Sequence, residues 1–310
     1  MKINKSYKLN ASFLCSYCGH KKVRSFCNLS SKINQRNIDY YVCKKCGAII
    51  QLPYPDSEVL QKYYESYFDI KQTLNSGYLT ESQYTSHKTE RDKTLAELKF
   101  DKERIKNGIN VELGCANGLF LRYLTENGST KTLGIDVSHS LLKEAKQRLI
   151  NAQIISSEDE NNITEDFFDN KNIQLLCASS LEKISNCSVD NLYMFHLMEH
   201  SEKPQLLMEQ AAKVLKNDGI LILEVPVSGI ISSFFQSKWR FLMPDEHLNI
   251  PSVRSVKILA KQNGFKVCSL TRFGSGVTSG TAPKIIKNIA DKLAKLFKFG
   301  DRAAFLLIKK

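Results

Sequence analysis

The sequence predicts an α/β fold in which a mostly parallel sheet carries helices on both faces, preceded by a small metal-binding module. Three observations lead to this prediction. From residue 109 onward, short apolar runs alternate with amphipathic stretches of helical periodicity. A glycine turn, GCANG at 114–118, directly follows the first apolar run. Two C-x-x-C pairs lie within the first 50 residues.

The first element is a ribbon built around two cysteine pairs, which we assign to a domain at 1–55. Each C-x-x-C is followed closely by Gly, so the backbone can turn and aim two thiolates at one metal ion. Twenty-four residues lie between the pairs, which predict a structural Zn²⁺ held by Cys15, Cys18, Cys43 and Cys46. The alternatives are redox or unmetallated cysteines, or a ligand exchanged for His20 or Cys27.

A helical linker or cap is predicted over 56–105. Aromatic residues at helical spacing suggest packing against the next domain; the stripe is Leu60, Tyr63, Tyr64 and Tyr67. The polar stretch 71–93 reads as a linker, and it leads into a helix, TLAELKFDKERIKN.

The remaining elements, over 106–310, alternate between strands and helices. Strands are expected at INVEL, TLGIDV, IQLLC, DNLYMFHL, GILILEVPV, FKVCSLTRF and RAAFLLIKK. Helices are expected at LFLRYLTEN, SHSLLKEAKQRLI, KPQLLMEQAAKVLK, VRSVKILAKQNG and, as a basic helix, near 282–298. The acidic stretch 151–172 interrupts the alternation and is interpreted as a surface insertion. Repeated β-α units of this kind imply parallel strands with crossover helices.

Composition limits the function classes. The chain has 310 residues, 42% apolar and 25% charged, which suits a globular protein with one large domain and a satellite. The most apolar run, GILILEVPVSGIISSFF, is too short and too interrupted to span a bilayer. Because no signal peptide is evident, we expect a cytoplasmic protein. The net charge of +12 points to an anionic partner: nucleic acid, a phosphorylated small molecule or a membrane surface.

The glycine turn carries the chemistry. VELGCANG follows a strand and opens a helix, which is the context of a nucleotide-binding turn. Asp136 ends the next strand, 18 residues after Gly118, where its carboxylate can accept hydrogen bonds from a ribose. Glu112, just before the glycines, would repel a pyrophosphate. It suits a ligand with an ammonium group and a sulfonium, namely S-adenosylmethionine.

With these residues in order, the chain resembles the class I S-adenosylmethionine-dependent methyltransferases. The segments that carry the resemblance are VELGCANG, GIDVS, VDNLYMFHLMEH and VLKNDGILILEVPV. The two C-x-x-C pairs, LPYPDSEVLQKYYESY and HLNIPSVRSVKILAKQNGF are similar to a subgroup with an N-terminal zinc ribbon that serves bacterial polysaccharide and modified-sugar biosynthesis. The resemblance implies a Rossmann-like sheet whose last strand is antiparallel.

The resemblance also implies which residues hold the cofactor. Glu112 would lie near the methionine part, Asp136 at the ribose, and CASSL (177–181) by the adenine, where Ala178 replaces the acidic residue of many relatives. The full implied set is Glu112, Gly114, Cys115, Ala116, Gly118, Asp136, Val137, Ser179 and Phe195.

FHLMEH offers two interpretations. As H-x-x-E-H it matches the inverted zinc peptidases, but DNLYMF reads as a strand, so His196 and His200 need not share a helical face. We therefore expect these histidines to face the methyl acceptor, with His200 as general base oriented by Glu199, then His196, then His247 as candidates. Glu199 and His200 could instead bind a divalent metal.

The predicted acceptor lid spans 228–250. Within it, Arg240 could pair with a phosphate of the acceptor, whereas Trp239, Arg240 and Phe241 could equally form an aromatic plug over the sheet.

The predicted activity is methyl transfer to a small-molecule or glycan acceptor, most simply a sugar hydroxyl, on a sugar, nucleotide sugar or glycan precursor. The alternative is a zinc-ribbon RNA base methyltransferase, which +12 would suit, although no N-P-P-Y-type motif follows the fourth strand. Peripheral membrane contact through the basic C-terminal helix is a third hypothesis; its apolar stripe is Ile285, Ile289, Leu293, Leu296 and Phe297.

Overall fold

A computed structural model of the chain describes residues 13–31, 35–56, 81–156, 163–164, 172–274, 292–297 and 299–310, with positions 58, 60 and 289. It confirms the predicted α/β fold. Some predictions concern residues outside these ranges. They are the predictions about Tyr63, Tyr64, Tyr67 and Ile285, and about most of the insertion at 151–172 and of the helix near 282–298.

The strands form two sheets. They are β1 (Val23–Ser30), β2 (Asn37–Cys43), β3 (Ile49–Leu52), β4 (Ile109–Leu113), β5 (Lys131–Asp136), β6 (Ile163–Thr164), β7 (Ile173–Cys177), β8 (Val189–Phe195), β9 (Leu215–Pro226), β10 (Asn249–Ile250), β11 (Phe265–Phe273) and β12 (Arg302–Lys309). The large sheet has the order β11-β12-β9-β8-β4-β5-β7-β6. In this order, all neighbouring strands from β9 through β8, β4, β5 and β7 to β6 are parallel. Strand β12 is antiparallel to both its neighbours, as the resemblance implied.

The helices are α1 (Glu81–Glu97), α2 (Glu103–Asn107), α3 (Leu119–Glu126), α4 (His139–Asn151), α5 (Pro204–Val214), α6 (Ile230–Phe235) and α7 (Val253–Gln262). One boundary was predicted wrongly. The stretch from 81 to 93, read as linker, is helical, and the single helix expected at 94–107 is two, because the chain turns between them with Lys99 at φ +57°. Among the described residues, no helix combines the length and hydropathy needed to cross a bilayer.

The large sheet is buried on both faces. In β9 the side chains alternate between two cores. Leu221, Leu223 and Val225 pack with α5 and α7, and Ile220 and Ile222 pack with α1 and α3. This double burial explains why β9 reads as an almost continuous apolar run.

The small sheet is shared between the ribbon and the predicted lid. Its order is β1-β2-β3-β10, and β10 comes from the segment after β9. Ile38, Tyr40 and Ile49 of the ribbon pack against Trp239 and Ile250. A ribbon of this size cannot bury a core alone, so it completes one with the catalytic domain.

Candidate functional site

The glycine turn between β4 and α3 is held open by its backbone. Gly114 has φ +79°, and a Cβ there would lie 3.1 Å from a methyl of Leu197. The amides of Gly114 and Cys115 both donate to the carbonyl of Ile135, and that of Ala116 donates to Asp136 Oδ2 at 2.9 Å. Glycine is needed at 114 both for the left-handed conformation and for the close approach.

A cavity of about 490 Å³ lies beside this turn, at the carboxyl ends of the parallel strands. Six of the predicted cofactor residues line it: Gly114, Ala116, Asp136, Val137, Ser179 and Phe195. Two predicted acceptor residues, His196 and His200, line the same cavity. The fold thus brings the two predicted halves of the site into one space.

Asp136 is fixed by backbone donors. Its Oδ1 accepts from the amide of Ser138 and its Oδ2 from that of Ala116, both at 2.9 Å. Burial raises the pKa of this carboxyl, while these amides oppose the rise. Each carboxylate oxygen has a second lone pair, so Asp136 can still accept from the two hydroxyls of a ribose.

Glu112 lies just outside the cavity lining and is 4% exposed. Within the described part of the chain, its buried Oε2 has no hydrogen-bond partner. Burial raises the pKa of Glu112 to about 8; the positive charge of Arg91 opposes this rise, and Asp136 adds to it. A buried carboxylate without a partner is costly, and a ligand cation would relieve that cost.

Cys115 and Gly118 serve packing. Cys115 is buried in a small cluster with Leu121 and Leu142. A Cβ on Gly118 would lie 2.8 Å from that of Ala145, so this glycine allows α3 and α4 to approach closely. Neither residue lines the cavity.

His196 bridges two buried carboxylates. It follows β8 directly, with φ +53°, and precedes a 3₁₀ turn at Met198–His200. Its Nδ1 is 3.3 Å from Glu199 Oε1, and its Nε2 is 3.4 Å from Glu224 Oε1. Burial lowers the pKa of His196, but these two partners outweigh it and raise the pKa to about 9. Both ring nitrogens therefore carry protons at neutral pH, and His196 is not placed to be the base.

Glu224 is the centre of a charge network that the sequence analysis missed. Besides His196, it contacts Arg91 Nη1 at 3.1 Å and Arg302 Nε at 3.3 Å. Burial opposes its ionisation, but Arg91, His196 and Arg302 keep the pKa of Glu224 well below its usual range. Arg91 also lies over the ring of Phe195, 4.3 Å from the centroid, and so connects this network to the cavity wall. The one signal was a Glu inside an apolar strand, where an unpaired charge would be costly.

The environment of His200 favours its neutral ring. Burial lowers its pKa to about 4, although the charge of Glu199 and a backbone hydrogen bond to Glu246 raise it somewhat. Glu199 Oε1 contacts His196 Nδ1, and a carboxylate oxygen of Glu199 lies within 4.8 Å of a ring nitrogen of His200, so the orientation of His200 by Glu199 stays a prediction. His247 does not line the cavity; its Nδ1 is 2.8 Å from the carbonyl of Phe241, and its ring contacts His200 edge-on at 4.8 Å.

Glu199, His200 and His247 each offer one ligand atom within 4.8 Å of the others. This set could hold a cation, as the sequence analysis allowed for Glu199 and His200. All three already have other contacts: Glu199 with His196, His200 with the backbone of Glu246, and His247 with the carbonyl of Phe241. The H-x-x-E-H peptidase arrangement does not form, because His196 lies outside the turn that carries His200.

The predicted lid packs as a plug. Trp239 is 3% exposed and donates its indole N–H to Asp301 Oδ2 at 3.1 Å. Arg240 lies over the ring of Phe241, with its Nε 3.7 Å from the same carboxylate oxygen. No residue of 228–250 lines the cavity, so the lid role stays a prediction.

The four ribbon cysteines converge. Cys15 Sγ is 3.5 Å from Cys46 Sγ, and Cys18 Sγ is 3.6 Å from Cys43 Sγ. All four are buried, and their sulfurs lie within 4.8 Å of one another. Sulfurs about 2.3 Å from a tetrahedral zinc ion are about 3.8 Å apart, so the cluster is compatible with Zn²⁺.

Comparisons with known proteins agree with this fold. A family model described as "Methyltransferase domain" matches residues 87–270, more than half of the chain. No curated protein sequence matches significantly.

Solved structures share the fold at low identity. Magnesium protoporphyrin IX methyltransferase from Synechocystis PCC 6803, with bound S-adenosylhomocysteine, matches with TM-score 0.54 and 14% identity over 82% of this chain and all of its own. The [4+2]-cyclase SpnF matches with TM-score 0.54 and 15% identity over 83% and 98%. A putative sarcosine dimethylglycine methyltransferase from Galdieria sulphuraria matches with TM-score 0.51 and 16% identity over 72% and 86%.

Proposed function

Because the chain belongs to the S-adenosylmethionine-dependent methyltransferases, we propose that it methylates a small-molecule acceptor, a hydroxyl of a sugar, nucleotide sugar or glycan precursor. One observation carries the proposal. The cofactor-type residues Gly114 and Asp136 and the histidines His196 and His200 line a single cavity of about 490 Å³. An acceptor beside His200 would therefore lie in the same cavity as the methyl donor.

The residues present fit the cofactor. Glu112 Oε2 is a buried acceptor without a partner, which suits an ammonium group. Asp136 suits the ribose, and the exposed Val137 and Ser179 at the cavity edge suit the adenine. When bound, S-adenosylmethionine supplies an electrophilic methyl group.

The chain's own groups position the acceptor and accept its proton. His200 is the base we propose, because its ring lines the cavity and is unprotonated at neutral pH. Its low pKa makes it a weaker base than a free imidazole, so positioning carries much of the rate. His196 directs both of its ring nitrogens at Glu199 and Glu224, so it would contribute positive charge at the cavity wall rather than a hydrogen bond to the acceptor.

The ribbon is assigned a structural Zn²⁺ on Cys15, Cys18, Cys43 and Cys46. Support comes from the burial and convergence of the four sulfurs and from the contacts that the ribbon makes beside them. Tyr17, inside the first C-x-x-C, donates its hydroxyl to the carbonyl of Asn249 at 2.7 Å. A metal in the ribbon would thus stabilise the segment that follows β9 as well.

Calorimetric titration of the purified chain with S-adenosylhomocysteine tests the proposal, with zinc measured on the same sample. We expect saturable binding and one zinc ion per chain. Methyl transfer from radiolabelled cofactor is then compared between nucleotide sugars and RNA. Absence of cofactor binding would refute the proposal, and transfer to RNA alone would replace the sugar acceptor by the RNA alternative.

A further inference from the structure

A second cavity, of about 650 Å³, lies between the ribbon and the segments that follow β9. The second cysteine knuckle forms one wall with Lys44 and Lys45, next to Arg24 of β1. Arg254, at the start of α7, and Arg272, near the end of β11, belong to the other wall. We call this space the basic cleft.

The basic cleft is charged with one sign. Among the described residues, five cations line it and no Asp or Glu does; the cations are Arg24, Lys44, Lys45, Arg254 and Arg272. Within the described part of the chain, no carboxylate pairs with Arg24, Lys44, Lys45 or Arg254. Elsewhere on this protein, exposed cations do pair; Lys88 with Glu126 and Lys216 with Asp190 are examples. Clustered cations repel one another, and an anion in the cleft would offset that repulsion.

The positive lining continues along α7. An adjoining cavity of about 640 Å³ shares Val253 and Arg272 with the basic cleft and adds Lys257 and Lys295. The one acid among its described lining residues, Glu97, is already bound by Lys295 and by the hydroxyl of Thr271. The two spaces therefore form one cation-lined groove.

The walls of the basic cleft are fixed to each other. Ser228 donates its hydroxyl to the carbonyl of Gly47 at 2.6 Å, and Ser252 donates to the carbonyl of Cys46. The backbones of Ser228 and Ser252 also pair with each other in a single parallel β-bridge. The cations of the ribbon are thereby held opposite Arg254, so a ligand would bind a site that exists before it arrives.

We propose that the basic cleft binds the diphosphate of a nucleoside diphosphate. This inference rests on the proposed function, because it identifies the methyl acceptor as a molecule that carries a diphosphate. Arginine and lysine on opposite walls match the two phosphates, and Phe26 offers the base an aromatic surface. The volume is that of sites for ligands of this size. This cleft replaces Arg240 as the phosphate site, because Asp301 already lies beside the Arg240 guanidinium.

The test is calorimetric titration of the full, zinc-containing chain with uridine diphosphate and, separately, inorganic pyrophosphate. The variant is Arg24→Gln with Arg254→Gln; both positions are exposed, so the fold should persist. The control is Lys261→Gln, an exposed cation at the far end of the same helix α7. Since each lost charge-assisted hydrogen bond weakens binding roughly tenfold or more, we expect about a hundredfold loss in the double variant and none in the control.

S-adenosylhomocysteine is titrated into the same proteins. Unchanged cofactor affinity with weakened diphosphate binding supports the inference. Intact cofactor binding with no diphosphate binding, or with equal diphosphate affinity in all proteins, overturns the inference and leaves the proposed function standing. If cofactor binding is absent, the proposed function fails, and a diphosphate effect of the double variant would still support the cleft. If an RNA oligonucleotide binds and the two small probes do not, the diphosphate inference is overturned and the cleft is a nucleic-acid site.

Discussion

Replacing Glu112 by Gln should stabilise the protein without ligand and weaken its hold on the cofactor. Burial raises the pKa of Glu112 from 4.5 to about 8. In the unfolded chain this carboxyl loses its proton near 4.5, whereas in the folded chain it keeps it until about 8. Stability is therefore lost as pH rises between these two values. The full difference corresponds to about 5 kcal/mol, of which about 3 kcal/mol applies at pH 7.

Glutamine mimics the protonated carboxyl and does not titrate. Urea denaturation should therefore give Glu112→Gln and the parent protein similar stability at pH 5, with the variant more stable by about 3 kcal/mol at pH 7. Changes with pH from other groups, His196 among them, are common to both proteins. The control is Glu209→Gln, an exposed glutamate on α5, which should follow the parent at every pH.

The same substitution removes the charge that we assign to the ligand's ammonium group. Affinity for S-adenosylhomocysteine should fall about ten- to a hundredfold, as expected for one charge-assisted hydrogen bond. In the parent protein, binding should release protons from Glu112 at pH 7, so the calorimetric enthalpy should depend on the buffer. Equal stability of variant and parent at pH 7, or undiminished cofactor affinity, would refute the reasoning about this carboxyl.

Three further substitutions test the rest of the site. Glu224→Gln removes the fully buried carboxylate that Arg91 and Arg302 share, leaving them only the more exposed Glu90, and should cost about 3 kcal/mol in urea denaturation; a loss below 1 kcal/mol would contradict the network. His200→Asn should lower kcat roughly a hundredfold while the affinity for S-adenosylhomocysteine stays the same, whereas an unchanged kcat would remove His200 as the base. Cys15→Ser with Cys46→Ser should abolish zinc in elemental analysis and lower Tm, and retention of one zinc ion would place the metal elsewhere.

Local patterns were enough for most of the fold. The strands β4, β7 and β11 have the bounds that their apolar runs predicted. For β4 and β7 the reason is that a parallel strand covered on both faces must be largely apolar, whereas β11 is an antiparallel edge strand. Gly114 and Asp136 were found from spacing alone, since a turn after one strand and an acid after the next meet at the same sheet edge. The four cysteines converge as their spacing predicted.

Other features depend on partners far away in the chain. Arg91 and Glu224 are 133 residues apart. In the sequence, Arg91 looks like a surface residue of a polar stretch, and Glu224 looks like an interruption of an apolar strand. β10 has only two residues, and it forms because β3 offers it a free edge. No local pattern announces such a strand.

The sequence by itself determined the sheet, the glycine turn and the cysteine cluster, because periodicity and spacing are local and the backbone obeys them. Only the tertiary structure decided which charges the site would have. It placed His196 between two buried carboxylates, left Glu112 without a partner, and set five cations of the ribbon and the catalytic domain around one cleft. Charge depends on burial and on neighbours across the fold, and neither can be read from a segment alone.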